Sequence, residues 1–354
     1  MNFSAGFDVR GCGGYILIGE IKTGGVARSL VDELQKLRSF SMKIITAAEV
    51  HAALKFPDLI DSLQEAFAAD FTMPPRKVFL LDEDDGNHDA FALLPSWNDS
   101  VIGVKAFTYF PDNPKPEYES LYSKILLFDR AHGEPLALVD GTSVTFLRTA
   151  AVSGLASRLL SRANSETLLL LGTGNLATYI IRAQASVRNL KRVLVWGRTP
   201  ANAQKVVQQM NDELTGIECV VVDDLQAACG EADIVVSATG SPDPLVLGDW
   251  ITEGTHTDFI GNHHATKREC DTALVVKSRV YADSRDNCFR EAGEVLVPIA
   301  EGVFTQDDVV GQLTEMCAGS VPLREDDQQI TLFKSIGMAL SDLVGASHAF
   351  RESK

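Results

Sequence analysis

The stretch TLLLLGTGNLATYIIRA, residues 167–183, limits the possible folds more than any other part of the chain. Four consecutive leucines ending in a glycine turn read as a short buried strand. Gly172, Gly174 and Ala177 then stand as GxGxxA between that strand and a helix. Gly172 permits the tight turn, Gly174 lets backbone approach a pyrophosphate, and Ala177 allows close packing of helix on sheet. Thr173, Asn175 and Leu176 complete the loop, and the helix N-terminus offers free N–H groups and a positive dipole end. A lone match of this kind is weak. Its weight comes from the texture that follows: RVLVWG, ECVVV, DIVVSAT, HTDFIG and RVYAD alternate with helical segments. Six such strands predict an α/β, Rossmann-type, doubly wound parallel sheet over 156–314.

The end of the second strand separates the two nicotinamide dinucleotides. An acidic residue there would bind the ribose 2'-OH of NAD and repel a 2'-phosphate. The chain instead has VWGRTP, with no carboxylate at Gly197, Arg198 or Thr199. Arg198 has the fork geometry for a phosphate, which favours NADPH while leaving NADH possible. The competing reading of Arg198 is a solvent-facing residue opening the next helix. Thr239, after DIVVSA, is also assigned to the cofactor.

A chain of 354 residues is long for one core and suggests two domains. Residues 42–155 mix an amphipathic helix near 47–68 with the β-rich runs RKVFLL, AFALLP, VIGVKAFTYF and ILLFDR, several alternating in polarity as half-buried antiparallel strands do. This is the pattern of an α+β unit, in front of the helical stretch RTAAVSGLASRLLSR. The tail ITLFKSIGMALSDLVGASHAF reads as an amphipathic helix returning to it, so 315–354 is assigned there too. The acidic LDEDD at 81–85 reads as a solvated loop. Residues 1–41 have no assigned role: Val26, Leu30, Leu34 and Leu37 share one helical face, yet Met42 opens a second plausible beginning.

With 32 Lys and Arg against 48 Asp and Glu, the net charge of -16 repels polyphosphate backbones and anionic lipid headgroups. Nucleic acid and membrane are therefore poor partners, whereas a small anionic ligand in a locally basic pocket is allowed. The six cysteines, Cys12, Cys219, Cys229, Cys270, Cys288 and Cys317, contain no CxxC pair and suit reduced thiols in a cytosol. No apolar run approaches the roughly 18 residues of a membrane span, and the first residues do not resemble a signal peptide. A cytoplasmic protein is expected.

Three cations stand among apolar neighbours: Arg76 in MPPRKVF, Lys105 in IGVKAFTYF and Arg148 in VTFLRTAAVSG. A charge so placed is costly to bury unless paired. Singly each reads as a structural ion pair; together they could clamp a substrate carboxylate beside a nicotinamide.

In this order, MPPR, GVKAFTYFPDNP, ALVDGTSVTFLRTAAVSGLAS, LLGTGNLA, DIVVSATGSPDPLV, GTHTDFIG and REAGEV resemble the ornithine cyclodeaminase and mu-crystallin family from about residue 42 onward. The resemblance implies a homodimer of a Rossmann domain and a dimerising substrate domain. It places Arg76, Lys105 and Arg148 on the substrate carboxylate, Thr149 beside them next to the cofactor, and Gly172, Gly174 and Ala177 at the dinucleotide. Its members include cyclodeaminases, alanine dehydrogenases, reductases of cyclic ketimines and a thyroid-hormone-binding protein.

The turn IGNHHATKRE decides among these. Where the cyclodeaminases carry an aspartate for the diamine's amino group, alignment places His263. A carboxylate would hold a distal ammonium; an imidazole near pH 7 is mostly neutral and does not. Reduction of a preformed cyclic imine makes no such demand. The expectation is therefore an NAD(P)H-dependent reduction of Δ1-pyrroline-2-carboxylate or Δ1-piperideine-2-carboxylate, with catalytic roles for Lys105, Arg148 and His263. Lys105 is the better choice for governing the proton at nitrogen. His263 and His264 are not read as metal ligands, because adjacent residues on a turn diverge and no third ligand accompanies them. The alternatives are a cyclodeaminase or amino-acid dehydrogenase, or a protein that binds NADPH and a small ligand without turnover.

Overall fold

The computed structural model describes residues 42–81, 89–111, 113 and 117–353. The helical pattern at 26–37 and the acidic cluster at 82–85 lie outside these residues. From Met42 onward the chain forms one compact unit built on two sheets.

The first sheet contains β1 (Lys43–Ile45), β2 (Lys77–Leu80), β3 (Ala90–Trp97), β4 (Val101–Tyr109), β5 (Leu121–Asp129) and β6 (Pro135–Asp140), in the order β1-β6-β5-β4-β3-β2. All neighbours are antiparallel except β1 on β6. Along β3 every second residue is buried, as the period of two in its sequence requires. On β4 the same alternation puts Lys105 on the inner face with Val101 and Gly103. Two helices pack on this inner face, α2 (Gly141–Leu160) and, from the C-terminal end, α5 (Ala339–Glu352), and α1 (Phe56–Ala68) packs on both of them. The helix expected near 47–68 is broken at Leu54–Lys55. A capping box at Thr46 and Glu49 starts Ala47–Ala53, and Pro57 sits in the first turn of α1.

The second sheet has eight parallel strands: β7 (Thr167–Leu171), β8 (Arg192–Trp196), β9 (Glu218–Val221), β10 (Ile234–Ser237), β11 (His256–Phe259), β12 (Arg279–Ala282), β13 (Val309–Gln312) and β14 (Thr331–Lys334). Their order is β13-β12-β14-β11-β10-β7-β8-β9. β10 is buried throughout and β7 nearly so, which is why they read as apolar runs; β11, HTDF, is buried throughout although three of its four residues are polar. The glycine loop leads from β7 into α3 (Ala177–Val187), and α4 (Arg285–Glu291) follows β12.

Two strands exceed the six drawn from sequence, β13 and β14. Residues 331–334 were expected within a single C-terminal helix; they pair with β11 and β12 in the second sheet. Only from Ala339 is the tail helical, after Gly337 turns the chain at φ 92°. A four-residue apolar run cannot be told from a helix segment by periodicity alone. α2 also begins earlier than expected, at Gly141, with Asp140 as its N-cap, and runs through residue 155, where the division between domains was drawn.

Candidate active site

Strand order reverses at β7 and β10, so their C-terminal ends open a crevice of the kind that takes ligands in such sheets. Gly172 leaves β7 at φ 111°, and a Cβ there would lie 2.5 Å from the Ala238 carbonyl oxygen. Only glycine fits. Gly174 is the opposite case, since a Cβ would meet nothing within 4 Å and its backbone faces open space. Asn175 is exposed, Leu176 is the N-cap of α3, and buried Ala177 begins the helix with no side chain capping its end. The first of its N–H groups, on Ala177, donates to the Gly174 carbonyl at 3.0 Å, while the positive end of the helix still favours an anion. Thr173 packs under Gly197, whose Cβ would lie 2.6 Å from the Thr173 methyl. Arg198 and Thr199 follow, both exposed.

Thr239 sits at the end of β10, but its hydroxyl is turned inward. Its N and Oγ1 donate to Glu269 Oε1 at 2.7 and 2.8 Å, and Ser237 Oγ donates to the same oxygen at 2.6 Å. Gly261 N donates to Glu269 Oε2 at 2.6 Å. One buried carboxylate therefore ties together the ends of β10 and β11.

Beyond β11, Asn262 Nδ2 donates to the Ser241 carbonyl at 2.6 Å, and the Asn262 carbonyl accepts from buried Lys334 at 2.9 Å. His263 is thereby held on a braced turn. It is exposed to solvent although protein crowds it, and that crowding, with Lys334, Arg76 and Arg148, pushes its pKa down to about 3. His263 is neutral at pH 7. His264 turns back on Thr266, whose hydroxyl lies 3.1 Å from its Nδ1.

On the first sheet Lys105 and Arg148 are 4% and 8% exposed and meet one carboxylate, Asp342 of α5, which is 1% exposed. Arg148 Nε donates to Asp342 Oδ1 at 2.9 Å, and Lys105 Nζ lies 3.2 Å from the same oxygen. Lys105 Nζ also donates to Thr145 Oγ1 at 2.6 Å. Burial lowers the Lys105 pKa to about 8; Asp342 opposes the shift, while Arg148 and Arg76 add to it. Thr149 stands half-buried beside Arg148 on α2.

Arg76, just before β2, pairs instead with Glu291 of α4. It lines a cavity of about 570 Å³ with Met73, Leu94, Asp286, Asn287, Phe289, Arg290, Gly337 and Ala339. Lys105 and Arg148 lie behind that wall, Arg148 directly against Gly337. Arg148 and Arg76 are near enough to hold down the protonation of Lys105, and the same two act on His263. The site is not free of negative charge, as the sequence suggested. Asp286 lines the cavity and Glu291 holds Arg76.

The model of the ornithine cyclodeaminase/mu-crystallin family matches residues 41–353. The chain belongs to this family. Within it, a Δ1-pyrroline-2-carboxylate reductase of Colwellia psychrerythraea is 50% identical over 307 residues, 86% of this chain and 97% of that enzyme. The Δ1-pyrroline-2-carboxylate reductase of Thermococcus litoralis, solved with NADH and L-proline, superposes with a TM-score of 0.83 at 32% identity, covering 88% of this chain and 97% of the other. An archaeal alanine dehydrogenase dimer with bound NAD gives 0.81 at 28% identity, over 88% and 96%.

Sequence reasoning missed several residues of this family member's site. Asp342 had a signal, a lone carboxylate in the apolar run MALSDLVG, and so did Lys334 at the end of TLFK. Glu291 sits in the quoted REAGEV. Nothing local distinguishes Glu269 from a surface glutamate.

Proposed function

We propose that this protein is an NAD(P)H-dependent reductase of cyclic ketimines, converting Δ1-pyrroline-2-carboxylate, Δ1-piperideine-2-carboxylate or both to L-proline and L-pipecolate. The observation that carries this reading is that Lys105 and Arg148 share one Asp342 oxygen behind a cavity of about 570 Å³ lined by Arg76. The half-identical Colwellia reductase supports the same assignment.

The residues present fit a dinucleotide. Open space over Gly174 and the uncapped start of α3 would hold the pyrophosphate, with Thr173, Asn175, Leu176 and Ala177 around it and Thr239 at the neighbouring strand end. Exposed Arg198, with Thr199, favours NADPH, since a guanidinium gives a 2'-phosphate bidentate contact. Bound reduced nicotinamide supplies a hydride.

In this scheme Arg76 and Arg148 bind the substrate carboxylate and fix the ring, with Thr149 beside them. The Lys105 ammonium donates a hydrogen bond to the lone pair of the neutral imine nitrogen and passes that proton to it, leaving Lys105 a neutral amine and making the adjacent carbon the better hydride acceptor. A hydride supplied to that carbon would send the C=N π pair to nitrogen and leave a secondary amine. His263, uncharged, hydrogen-bonds at the ring side without adding a cation.

A homodimer is the proposed assembly. Val78, Phe79, Leu80, Tyr109 and Tyr122 are all exposed on the first sheet, and β2 is its edge. An apolar edge and face of this kind need a cover, and a second copy supplies one. No helix among the described residues is long and apolar enough to cross a membrane. The described cysteines are free thiols, which suits the proposed cytoplasmic location.

Asp286 favours a second reading, a cyclodeaminase or amino-acid dehydrogenase that recognises a cationic amine. Both are tested by following nicotinamide absorbance with each ketimine and either reduced cofactor, alongside ammonia release from ornithine with oxidised cofactor. Cofactor oxidation by a ketimine supports reduction. Ammonia release without ketimine turnover replaces it with the second reading, and tight ligand binding without any turnover would leave only a storage role.

A further inference from the structure

Asp342 lies outside both the glycine loop and the cavity wall, among buried Leu340, Leu343 and Val344 of α5. A carboxylate there is costly unless paired. Its position is prepared by the absence of side chains around it. A Cβ on Gly103, two residues before Lys105 on the same face of β4, would lie 2.6 Å from Leu343 Cδ1. A Cβ on Gly345 would lie 2.9 Å from Val144 Cγ1. Both glycines let α5 settle against β4 and α2, bringing Asp342 within reach of one cation on each. At Gly337 the bare backbone leaves room for the Arg148 guanidinium, 3.3 Å from where a Cβ would stand.

Resting on the reductase reading, we propose that Asp342 is the positioning residue of the site, aligning Lys105 and Arg148 on one oxygen and supplying the counter-charge that keeps Lys105 an ammonium. Thr145 completes the alignment. Its hydroxyl proton is given to the Gly141 carbonyl at 2.7 Å, so toward Lys105 it can only accept. Two of the ammonium's three protons are then used inside the protein, and one remains for the ligand.

The charged groups facing Lys105 are Asp342 from α5, Arg148 from α2 and Arg76 from the segment before β2. Of these, and with burial included, only Asp342 favours the protonated amine. Removing its charge therefore moves the amine toward its neutral form.

The test follows the Lys105 Cε signal by NMR in protein carrying 13C-labelled lysine, assigned by its loss in Lys105→Arg. The expected titration midpoint, near 8 in the native protein, falls by about one unit or more in Asp342→Asn and returns in Asp342→Glu. The alkaline limb of ketimine reduction should move down by the same amount, with NADPH affinity unchanged. Should Asp342→Asn not fold, Asp342→Ser, which leaves room for water, carries the same expectation. An unmoved midpoint in a folded variant overturns the proposal. A native protein that reduces no ketimine overturns the reductase reading instead, and the NMR titration still decides the role of Asp342.

Discussion

Replacing Gly174 by valine should separate cofactor binding from folding. A Cβ at Gly174 meets no atom within 4 Å, and the residue is exposed, so stability in urea should change by no more than about 1 kcal/mol. The valine occupies the space through which a pyrophosphate reaches the backbone. Losing two charge-assisted contacts at roughly 1.5 kcal/mol each raises the KM for the dinucleotide about a hundred-fold. Gly172→Ala is the counterpart. It sits at φ 111° with its Cβ 2.5 Å from the Ala238 carbonyl oxygen, which is backbone and cannot swing aside. Left-handed strain of about 1–2 kcal/mol and overpacking of about 1–3 kcal/mol add to a loss of roughly 2–5 kcal/mol. Steady-state kinetics with varied NADPH, beside urea unfolding of both variants, separates the two effects. Native cofactor KM in Gly174→Val would remove the loop as the dinucleotide site, and equal destabilisation of both variants would refute the open-space argument.

Arg198→Glu should raise the KM for NADPH at least ten-fold while changing that for NADH far less, because a carboxylate repels the 2'-phosphate; equal effects on both cofactors would return Arg198 to a surface role. Glu291→Gln should free Arg76 for the substrate and lower the ketimine KM roughly two- to five-fold, the scale of a half-exposed ion pair. A higher KM would mean that Glu291 orients Arg76 rather than competing for it. Phe79→Asp places a charge on the exposed apolar edge and should give monomers by sedimentation, against the dimer proposed for the native chain; a native monomer at micromolar concentration ends that proposal.

Much of the second sheet was legible because its evidence is local. β7, β8 and β10 are runs rich in Leu, Val or Ile next to a turn, and GxGxxA needs only adjacent residues to declare its geometry. β13 and β14 escaped for the converse reason. VVGQ and TLFK are too short to carry a period, and both become strands by pairing with β12, which stands beside each of them. The cations at Arg76, Lys105 and Arg148 were visible as charges in apolar text, but their partners were not. Glu291 and Asp342 lie far along the chain from the residues they hold, and no spacing rule links them.

From residue order alone came the parallel sheet, the glycine turn after β7 and the family, because periodicity and turn chemistry act over a few residues. Folding decided which oxygen Lys105 and Arg148 share, which carboxylate engages Arg76, and that the Thr239 hydroxyl faces Glu269 rather than the crevice. The pairings of Arg76, Lys105 and Arg148 arise only when α4 and α5 dock against elements far away in the sequence. A charge buried by such docking must take whatever partner the docking brings.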